Sequence, residues 1–434
     1  MLLNKSSRLA KDKIFLTFII SGFLGVSISF GSLYLFHIIL SILAILLFYS
    51  LKENNFNLKI GFLNKTYVPN FVIIFAWYIV SLLWTPNLEL GLKYIFYIFC
   101  GLILLLSIIS FSINLKNLDK IFHLLSIFVL IEIVIALLES FTSFRMPISS
   151  YSSLASFFGK DPINYSGLNS LILGSNFTPP TGFRWNTNDL AICMIIALPF
   201  FLCNKHTLIK IFGILAISTI VVMTASRAVF LSLILVFSLY LFFIKKKLGT
   251  LSLIWLVGFM LIWGMNEFRD SENPRMNELA NSVDALGLYL KGEIDIGGSL
   301  EWRRELVDNG LSAFYNSFGL GLGAGGSVAN QEAIGPVAGR FTSMHNFWVE
   351  LLVEGGLFVA INIIFLLIGM IYKLFIISRN SINKRIKFYS ESLFLSVCAF
   401  IPSAISASST IYFFPMWIMF GIAISVISLS KKSI

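Results

Sequence analysis

Charged residues are scarce in this chain. Only 12% of its 434 residues are Asp, Glu, Lys or Arg, whereas a soluble globular chain carries about a quarter. Hydrophobic residues make up 57% of the chain, and the mean hydropathy is +0.86. This balance excludes a soluble or nucleic-acid-binding protein. It predicts an all-α polytopic membrane protein that forms one transmembrane helix bundle over residues 1–434.

Cysteine is also rare, and metal motifs are lacking. The four cysteines lie in or at the ends of apolar runs without metal-ligand spacing, so we interpret them as small buried hydrophobic residues rather than disulfides. They are Cys100, Cys193, Cys203 and Cys398. No Asp-rich metal motif precedes an outer span, and we expect neither metal nor other cofactor. Internal repeats and low-complexity tracts are missing as well.

Long apolar runs are what the chain has in abundance. Measured against a span of about 20 residues, they predict about twelve transmembrane helices. The predicted spans are 14–30, 33–50, 68–84, 93–112, 121–141, 188–204, 207–224, 228–244, 249–265, 346–372, 388–408 and 410–429. The first span follows several basic residues, as a signal peptide does. Because no small-residue cleavage site follows it, we interpret it as a retained helix.

The basic residues predict the orientation of the bundle. With a cytoplasmic N-terminus, 21 of the 32 basic residues fall in inner segments, and every short inner loop, counted with the first turn of the span that follows it, holds at least two. This is the positive-inside pattern. It predicts that both termini are cytoplasmic and that two long loops, 142–187 and 266–345, are extracytoplasmic.

The two sides differ in the kind of basic residue. Lysine accounts for 18 of the 21 inner residues, whereas eight of the eleven outer ones are arginine. The planar guanidinium group binds two phosphate oxygens at once, so outer arginines indicate phosphate recognition. The alternative is salt bridging with the acidic residues of the second loop. Arg227 has no acidic neighbour in sequence and lies at the start of an apolar span, where the alternative is snorkelling to the headgroups.

The most informative segment is 343–356, where the second outer loop returns to an apolar span. It holds His345, Glu350, Glu354 and the pair Gly355-Gly356. Ionisable groups beside hydrocarbon are costly, so they usually mark a pathway or a reaction site. Glu350 and Glu354 lie one turn apart on a helix and are assigned to structure or to binding loop arginines. The glycine pair is expected to bend the helix.

Two further patterns belong to the outer side. Residues 318–326 form a glycine-rich turn, which is compatible with an anion site made of backbone N–H groups or with a flexible lid. The segment 178–189 closes the first outer loop, and its Asn residues are suited to capping the next helix or to binding sugar hydroxyls. Glu132 and Glu139, seven residues apart, share one face of the fifth helix, and Glu132 requires a partner within the membrane.

Taken in order, these motifs resemble the O-antigen ligase/polymerase family of membrane glycosyltransferases. The resemblance rests on Ser226-Arg227-Ala228, an outer-loop Arg ahead of Gly-x-Gly-x-Gly, and His345-Asn346 followed by Glu354-Gly355. It covers roughly residues 180–360, including the Gly-Phe-Arg-Trp-Asn-Thr-Asn segment. The family commonly has a Trp four residues after the loop Arg and a Pro three residues before the glycines. Here Val307 and Asn316 occupy those positions, so the choice between Arg303 and Arg304 stays open.

The resemblance implies a GT-C-like architecture in a bacterial inner (plasma) membrane, with an extracytoplasmic active site. The donor and acceptor would be glycans on undecaprenyl diphosphate. Arg227 and Arg303 would stabilise the diphosphate leaving group, and His345 would accept the proton of the attacking hydroxyl. Further candidates for substrate binding are Arg304, Arg184, Arg340, Asn186, Asn188, Glu350 and Glu354. A chain-length regulator and a flippase are the expected partners besides the lipid bilayer.

Three functions are compatible with these motifs. The first is polymerisation of lipid-linked repeat units into an O-antigen or capsule, which the high Phe, Ile, Asn and Lys content favours as typical of polysaccharide gene clusters. The second is the ligase reaction, which transfers a finished glycan to lipid A-core and needs the same groups. The third, a lipid-linked-sugar flippase or transporter, predicts mid-membrane charges and inverted repeats. The ionisable residues instead cluster on one side, which favours an enzyme.

Overall fold

The chain folds into a bundle of helices that run back and forth between two ends. The computed structural model describes residues 5–53, 67–162, 179–247, 298–337, 342–407, 409 and 411–431. The first helices are α1 (Lys5–Leu24), α2 (Leu35–Glu53), α3 (Val68–Ser81), α4 (Leu88–Phe111), α5 (Leu115–Phe141), α6 (Thr187–Leu202) and α7 (Thr207–Thr224). They are followed by α8 (Arg227–Leu239), α9 (Gly298–Asn316), α10 (Gly326–Ile334), α11 (Phe347–Asn380), α12 (Lys384–Ser403) and α13 (Phe414–Ser430).

Helices occupy each predicted span that falls on described residues, and the predicted span 249–265 lies outside them. Among the described residues, six helices are long and apolar enough to cross a membrane: Leu88–Phe111, Leu115–Phe141, Thr207–Thr224, Arg227–Lys245, Phe347–Asn380 and Lys384–Ser406. Shorter apolar helices include Val68–Ser81, Thr187–Leu202 and Phe414–Ser430. A mostly helical membrane protein is therefore confirmed, while the number twelve stays a prediction.

Local sequence signals explain where the helices begin and end. Asn87 caps α4 by accepting a hydrogen bond from the Leu90 N–H at 3.1 Å, and Asn114 caps α5 in the same way. Both helices therefore begin about one turn or more ahead of their apolar runs. Pro402 lies in the last turn of α12, and Pro415 opens α13. These prolines separate the last two helices because proline cannot donate to a helical ladder.

The connection between α1 and α2 is a small β-hairpin. Strands β1 (Ser29–Phe30) and β2 (Leu33–Tyr34) pair antiparallel, with Ser29 opposite Tyr34. Part of the predicted second outer loop is helical as well, since it contains α9 and α10. The described cysteines form no disulfide; Cys100 and Cys193 are buried, and the other two are half-buried.

Helix α13 lies at the centre of the described bundle, because every residue from Phe414 to Ser430 is buried. It packs closely against α4, where a Cβ at Gly101 would lie 2.3 Å from the Trp417 ring. At one end of the bundle, Lys120 pairs with Asp12 at 2.8 Å and Arg385 pairs with Asp119 at 2.6 Å. The hairpin and the candidate functional residues lie at the opposite end, which we call the hairpin end.

Candidate active site

Helix α11 is broken near its start. Gly356 has φ +67° and ψ −171°, a backbone conformation open almost only to glycine, and it divides α11 into a short segment 347–355 and a long segment 357–380. A Cβ at Gly356 would lie 2.3 Å from the Leu320 carbonyl oxygen. The predicted bend at the glycine pair is confirmed. The break leaves backbone groups of α11 without helical partners, and these must be satisfied by other parts of the chain.

The glycine-rich segment 318–326 supplies those partners, and we call it the glycine strap. The N–H groups of Leu322 and Gly323 donate to the carbonyls of Val353 and Glu354 at 2.7 and 3.0 Å. In return, the Leu357 N–H donates to the Gly319 carbonyl at 3.0 Å. These N–H groups are therefore committed to α11. The geometry favours a structural strap over the predicted anion site or flexible lid.

The end of α3 and its following turn fix the strap from the other side. The indole N–H of Trp84 donates to the Gly321 carbonyl at 3.0 Å, and the Thr85 hydroxyl donates to the Ala324 carbonyl at 2.8 Å. The Ala324 N–H donates to the Ser81 hydroxyl at 3.0 Å. Sequence reasoning missed these residues, because the Trp84 contact bridges 237 positions and leaves no local signal.

The two carboxylates of the short segment 347–355 are buried. Glu354 is 0% exposed and accepts a hydrogen bond from the Ser327 hydroxyl at 2.6 Å. Ser327 lies in the first turn of α10, so this hydrogen bond anchors α10 to α11. Glu350 is also buried. Substrate binding by either carboxylate stays a prediction.

His345 stands directly ahead of α11 in an unusual backbone conformation. Its φ is +47°, which is uncommon for a residue with a side chain and is often found at functional sites. The next residue, Asn346, caps α11 by accepting from the N–H groups of Trp348 and Val349. Burial, followed by the positive charge of Arg303, lowers the pKa of His345 from its usual 6.5 to about 4. The imidazole is therefore neutral at pH 7 and able to accept a proton.

Arg303 and Arg304, between which the sequence left the choice open, lie in different surroundings in the structure. Helix α9 lies across the start of α11, and a Cβ at Gly310 would be 2.9 Å from the Met344 sulfur. Arg303 precedes Gly310 by seven residues, two helical turns, and so lies on the same face of α9. Its charge acts on His345. Arg304 instead lies on the exposed side, where its Nε is 3.6 Å from the Asp308 carboxylate.

Arg227 begins α8 at the same end of the bundle. The preceding Ala225 turns the chain with φ +52°, and the Ser226 hydroxyl donates to the Ser406 hydroxyl at 3.2 Å. The indole N–H of Trp348 donates to the Ile401 carbonyl at 3.0 Å. The end of α12 and the residues that follow it, 401–406, thus contact both the start of α8 and the start of α11. Arg227 and His345 lie at these two helix starts.

The segment that closes the first outer loop is held by the two carboxylates of α5. Arg184 is buried, and its Nε lies 3.0 Å from the Glu132 carboxylate, while its Nη1 donates to the Phe23 carbonyl at 2.7 Å. This is the partner that Glu132 requires. Glu139 accepts from the N–H groups of Thr181 and Gly182, both at 2.7 Å. The contacts give Arg184 a structural function, and a function in substrate binding stays a prediction.

The remaining predicted site residues are Asn186, Asn188 and Arg340. Asn186 caps α6 by accepting from the Asn188 N–H at 2.8 Å, which confirms the capping alternative for Asn186. Asn188 lies in the first turn of that helix. Arg340 lies outside the described residues. The structure brings Arg303 near His345. Arg227 begins α8, whose cap residue Ser226 contacts the segment 401–406 at the end of α12, as Trp348 of α11 does.

Comparisons with known proteins reveal two similarities. The profile of the family described as "O-Antigen ligase" matches residues 212–364, a stretch that contains Arg227, Arg303, the glycine strap and His345. The chain is also 23% identical, over 429 residues, to the teichuronic acid biosynthesis protein TuaE of Bacillus subtilis (strain 168). That alignment covers 96% of this chain and 83% of the relative. The resemblance found in the motifs is thereby confirmed as a similarity to the O-antigen ligase family over residues 212–364.

Proposed function

We propose that this protein polymerises oligosaccharide repeat units linked to undecaprenyl diphosphate into a surface polysaccharide. The observation that supports the proposal most directly is the placement of two arginines and a neutral histidine at the hairpin end, within the family-matched region. Arg227 begins α8, Arg303 faces the start of α11, and His345 precedes that helix. A transporter would need charges along a path through the bundle, whereas this cluster lies at one end.

The proposed reaction is a single displacement at the anomeric carbon of the donor glycan. A hydroxyl of the acceptor repeat unit attacks that carbon, and the carbon–oxygen bond to the diphosphate breaks. The hydroxyl proton passes to His345, and the bond electrons leave with undecaprenyl diphosphate. Arg227 and Arg303 bind the diphosphate and stabilise its developing charge, the largest single contribution in many enzymes. The scheme uses no metal, in line with the sequence.

Substrate binding tunes the histidine in this scheme. In the free protein, burial and Arg303 hold the pKa of His345 at about 4, so the ring is neutral but weakly basic. A diphosphate bound beside Arg303 opposes the arginine charge and therefore raises the pKa. His345 therefore becomes a stronger base when the donor is bound, so it accepts a proton only when the substrate is present.

The ligase reaction is the second candidate function. It is favoured by the description of the matching family, whereas the name of the similar Bacillus protein favours synthesis of a polymer. Both reactions require the same diphosphate site and base. In either case we propose an extracytoplasmic site at the plasma membrane, cytoplasmic termini, and cooperation with a flippase and a chain-length regulator.

A deletion strain tests and separates these functions. Cells lacking the gene are complemented with wild type, His345→Ala or Arg227→Ala, and surface and lipid-linked glycans are separated on a gel. A single repeat unit on the final acceptor establishes a polymerase, and long chains retained on undecaprenyl diphosphate establish a ligase. Failure of lipid-linked units to reach the outer leaflet favours a flippase. A wild-type ladder from both variants would show that the proposed site is wrong.

A further inference from the structure

A cavity lies at the hairpin end, on helices other than those that carry Arg227, Arg303 and His345. Its volume is about 630 Å³, and it opens between the β-hairpin, the first turns of α2 and the adjoining part of α4. The residues that line it are Ser32, Leu33, His37, Ile38, Leu40, Ser41, Lys93, Phe96 and Tyr97. None of these nine residues is acidic. The proposed transfer reaction uses none of them.

His37 is the most constrained of these residues. It is 8% exposed, and its Nδ1 accepts a hydrogen bond from the Tyr34 N–H at 3.2 Å. A neutral imidazole with an accepting Nδ1 carries its proton on Nε2. Within the described chain, this buried Nε2 has no hydrogen-bond partner. Leaving a buried donor unsatisfied costs about 1–3 kcal/mol, so a ligand oxygen that reaches Nε2 gains a favourable hydrogen bond.

The other polar groups of the cavity match an anionic ligand. Lys93 is exposed and forms no ion pair with a described carboxylate. The hydroxyls of Ser32 and Tyr97 add further donors, whereas the Ser41 hydroxyl donates to the His37 carbonyl at 2.9 Å. An ammonium, an imidazole N–H and two hydroxyls, with no acidic neighbour in the lining, are suited to the oxygens of a phosphate group.

The surface beneath the cavity indicates that the phosphate belongs to a lipid. Two apolar stripes run from it toward the other end of the bundle, one on α2 and one on α4, with the spacing of a single helical face. The stripes are Ile38, Ile42 and Ile45 on α2 and Leu92, Phe96 and Phe99 on α4, all exposed. Apolar chains attached to a phosphate in the cavity would lie along them.

The rim of the cavity is held in place by the first outer loop. The Gly31 N–H donates to the Phe158 carbonyl at 2.6 Å, and the Lys160 ammonium donates to the Gly31 carbonyl at 3.0 Å. The ammonium of Lys160 also lies 5.6 Å from the centre of the Tyr34 ring. Because residues 158–160 hold both the turn and the second strand of the hairpin, the cavity is formed before a ligand arrives, which lowers the cost of binding.

We propose that this cavity binds the phosphate headgroup of a membrane lipid, as a site separate from the transfer site. The lipid is either a glycerophospholipid of the bilayer or a polyprenyl phosphate. Both present a phosphate at the membrane surface with apolar chains below it. The proposal concerns binding alone and does not depend on the transfer reaction.

Native mass spectrometry of the purified full-length chain tests the proposal. The probes are phosphatidylglycerol, undecaprenyl phosphate and, as a phosphate-free control, dioleoylglycerol. The variants are Lys93→Met and His37→Ala, with Lys373→Met as a matched control, because Lys373 is an exposed lysine of α11 far from the cavity. We expect Lys93→Met to weaken binding of at least one phosphate lipid fivefold or more, while dioleoylglycerol and Lys373→Met show no change.

The pattern of loss identifies the lipid. Loss for phosphatidylglycerol alone assigns the site to the bilayer, and loss for undecaprenyl phosphate alone assigns it to a polyprenyl lipid. Lys93→Met is also introduced into an Arg227→Ala background. If lipid binding falls there as it does in the wild-type background, the two sites are separate. Since Lys93 is exposed, its replacement tests the site even if His37→Ala does not fold. Equal phosphate-lipid binding by wild type and Lys93→Met would overturn the proposal.

Discussion

Replacing Gly356 with alanine is expected to damage the fold at the point where the site is built. The backbone there has φ +67° and ψ −171°, and a Cβ would meet the Leu320 carbonyl oxygen at 2.3 Å. Holding a residue with a side chain in this region costs of order 1–3 kcal/mol. The three hydrogen bonds between the glycine strap and α11 contribute about 1 kcal/mol each. Loss of the strap therefore lowers the free energy of unfolding by about 4–6 kcal/mol.

Gly369 provides a matched control on the same helix. It lies in the long segment of α11, and the nearest atom to an added Cβ is the Tyr67 hydroxyl at 3.5 Å, an ordinary contact. Alanine there is expected to be neutral or to stabilise by roughly 0.5–1 kcal/mol. Thermal unfolding of the purified proteins in detergent measures both effects. If Gly356→Ala unfolds at the same temperature as Gly369→Ala, the argument for the strap is refuted.

Three further predictions follow from contacts in the site. His345 stays neutral down to about pH 4 in the free protein because burial and Arg303 lower its pKa to about 4. In NMR of the labelled ring, we expect Arg303→Met to move the midpoint of the His345 titration up toward 6.5. An unchanged midpoint would refute the coupling between Arg303 and His345. Arg184→Met leaves the buried Glu132 without its partner and is expected to destabilise the protein by about 3–5 kcal/mol in thermal unfolding. The double variant Arg184→Met/Glu132→Leu is expected to recover part of this stability. Equal stability of wild type and Arg184→Met would contradict the prediction. Arg227→Lys keeps the charge but not the two-pronged geometry, so it is expected to restore less than a tenth of transfer activity; full activity would exclude bidentate phosphate binding.

Most of the helices could be predicted from the sequence, because a membrane span requires an apolar run of known length. Errors were concentrated at the helix ends. Helices α4 and α5 begin ahead of their apolar runs, at Asn87 and Asn114, since polar first turns are stabilised by these caps. Helices α9 and α10 were missed because they lie in a polar loop and contain no apolar run long enough to mark them.

The members of the candidate site were identifiable from sequence, but their neighbours were not. The choice between Arg303 and Arg304 depends on which face of α9 meets α11, and adjacent residues cannot reveal that face. The ion pair of Arg184 with Glu132 bridges 52 positions. One signal for it was visible, since Glu132 and Glu139 share a face of α5 and both contact the same returning segment. For the glycine strap, no signal in the sequence indicated its contacts. Alternating glycines indicate a backbone of unusual conformation, but they do not show that the strap pairs with α11.

The most direct test is transfer by the purified protein in proteoliposomes that contain an undecaprenyl-diphosphate-linked repeat unit. Glycan elongation and released undecaprenyl diphosphate are measured together, for wild type and for Arg303→Ala and Arg304→Ala as a matched pair of adjacent residues. We expect equal amounts of both products from wild type, a loss of about 10²–10³-fold for Arg303→Ala, and nearly full activity for Arg304→Ala. Transfer by Arg303→Ala at the wild-type rate, or no release of undecaprenyl diphosphate by the wild-type protein, would contradict the account.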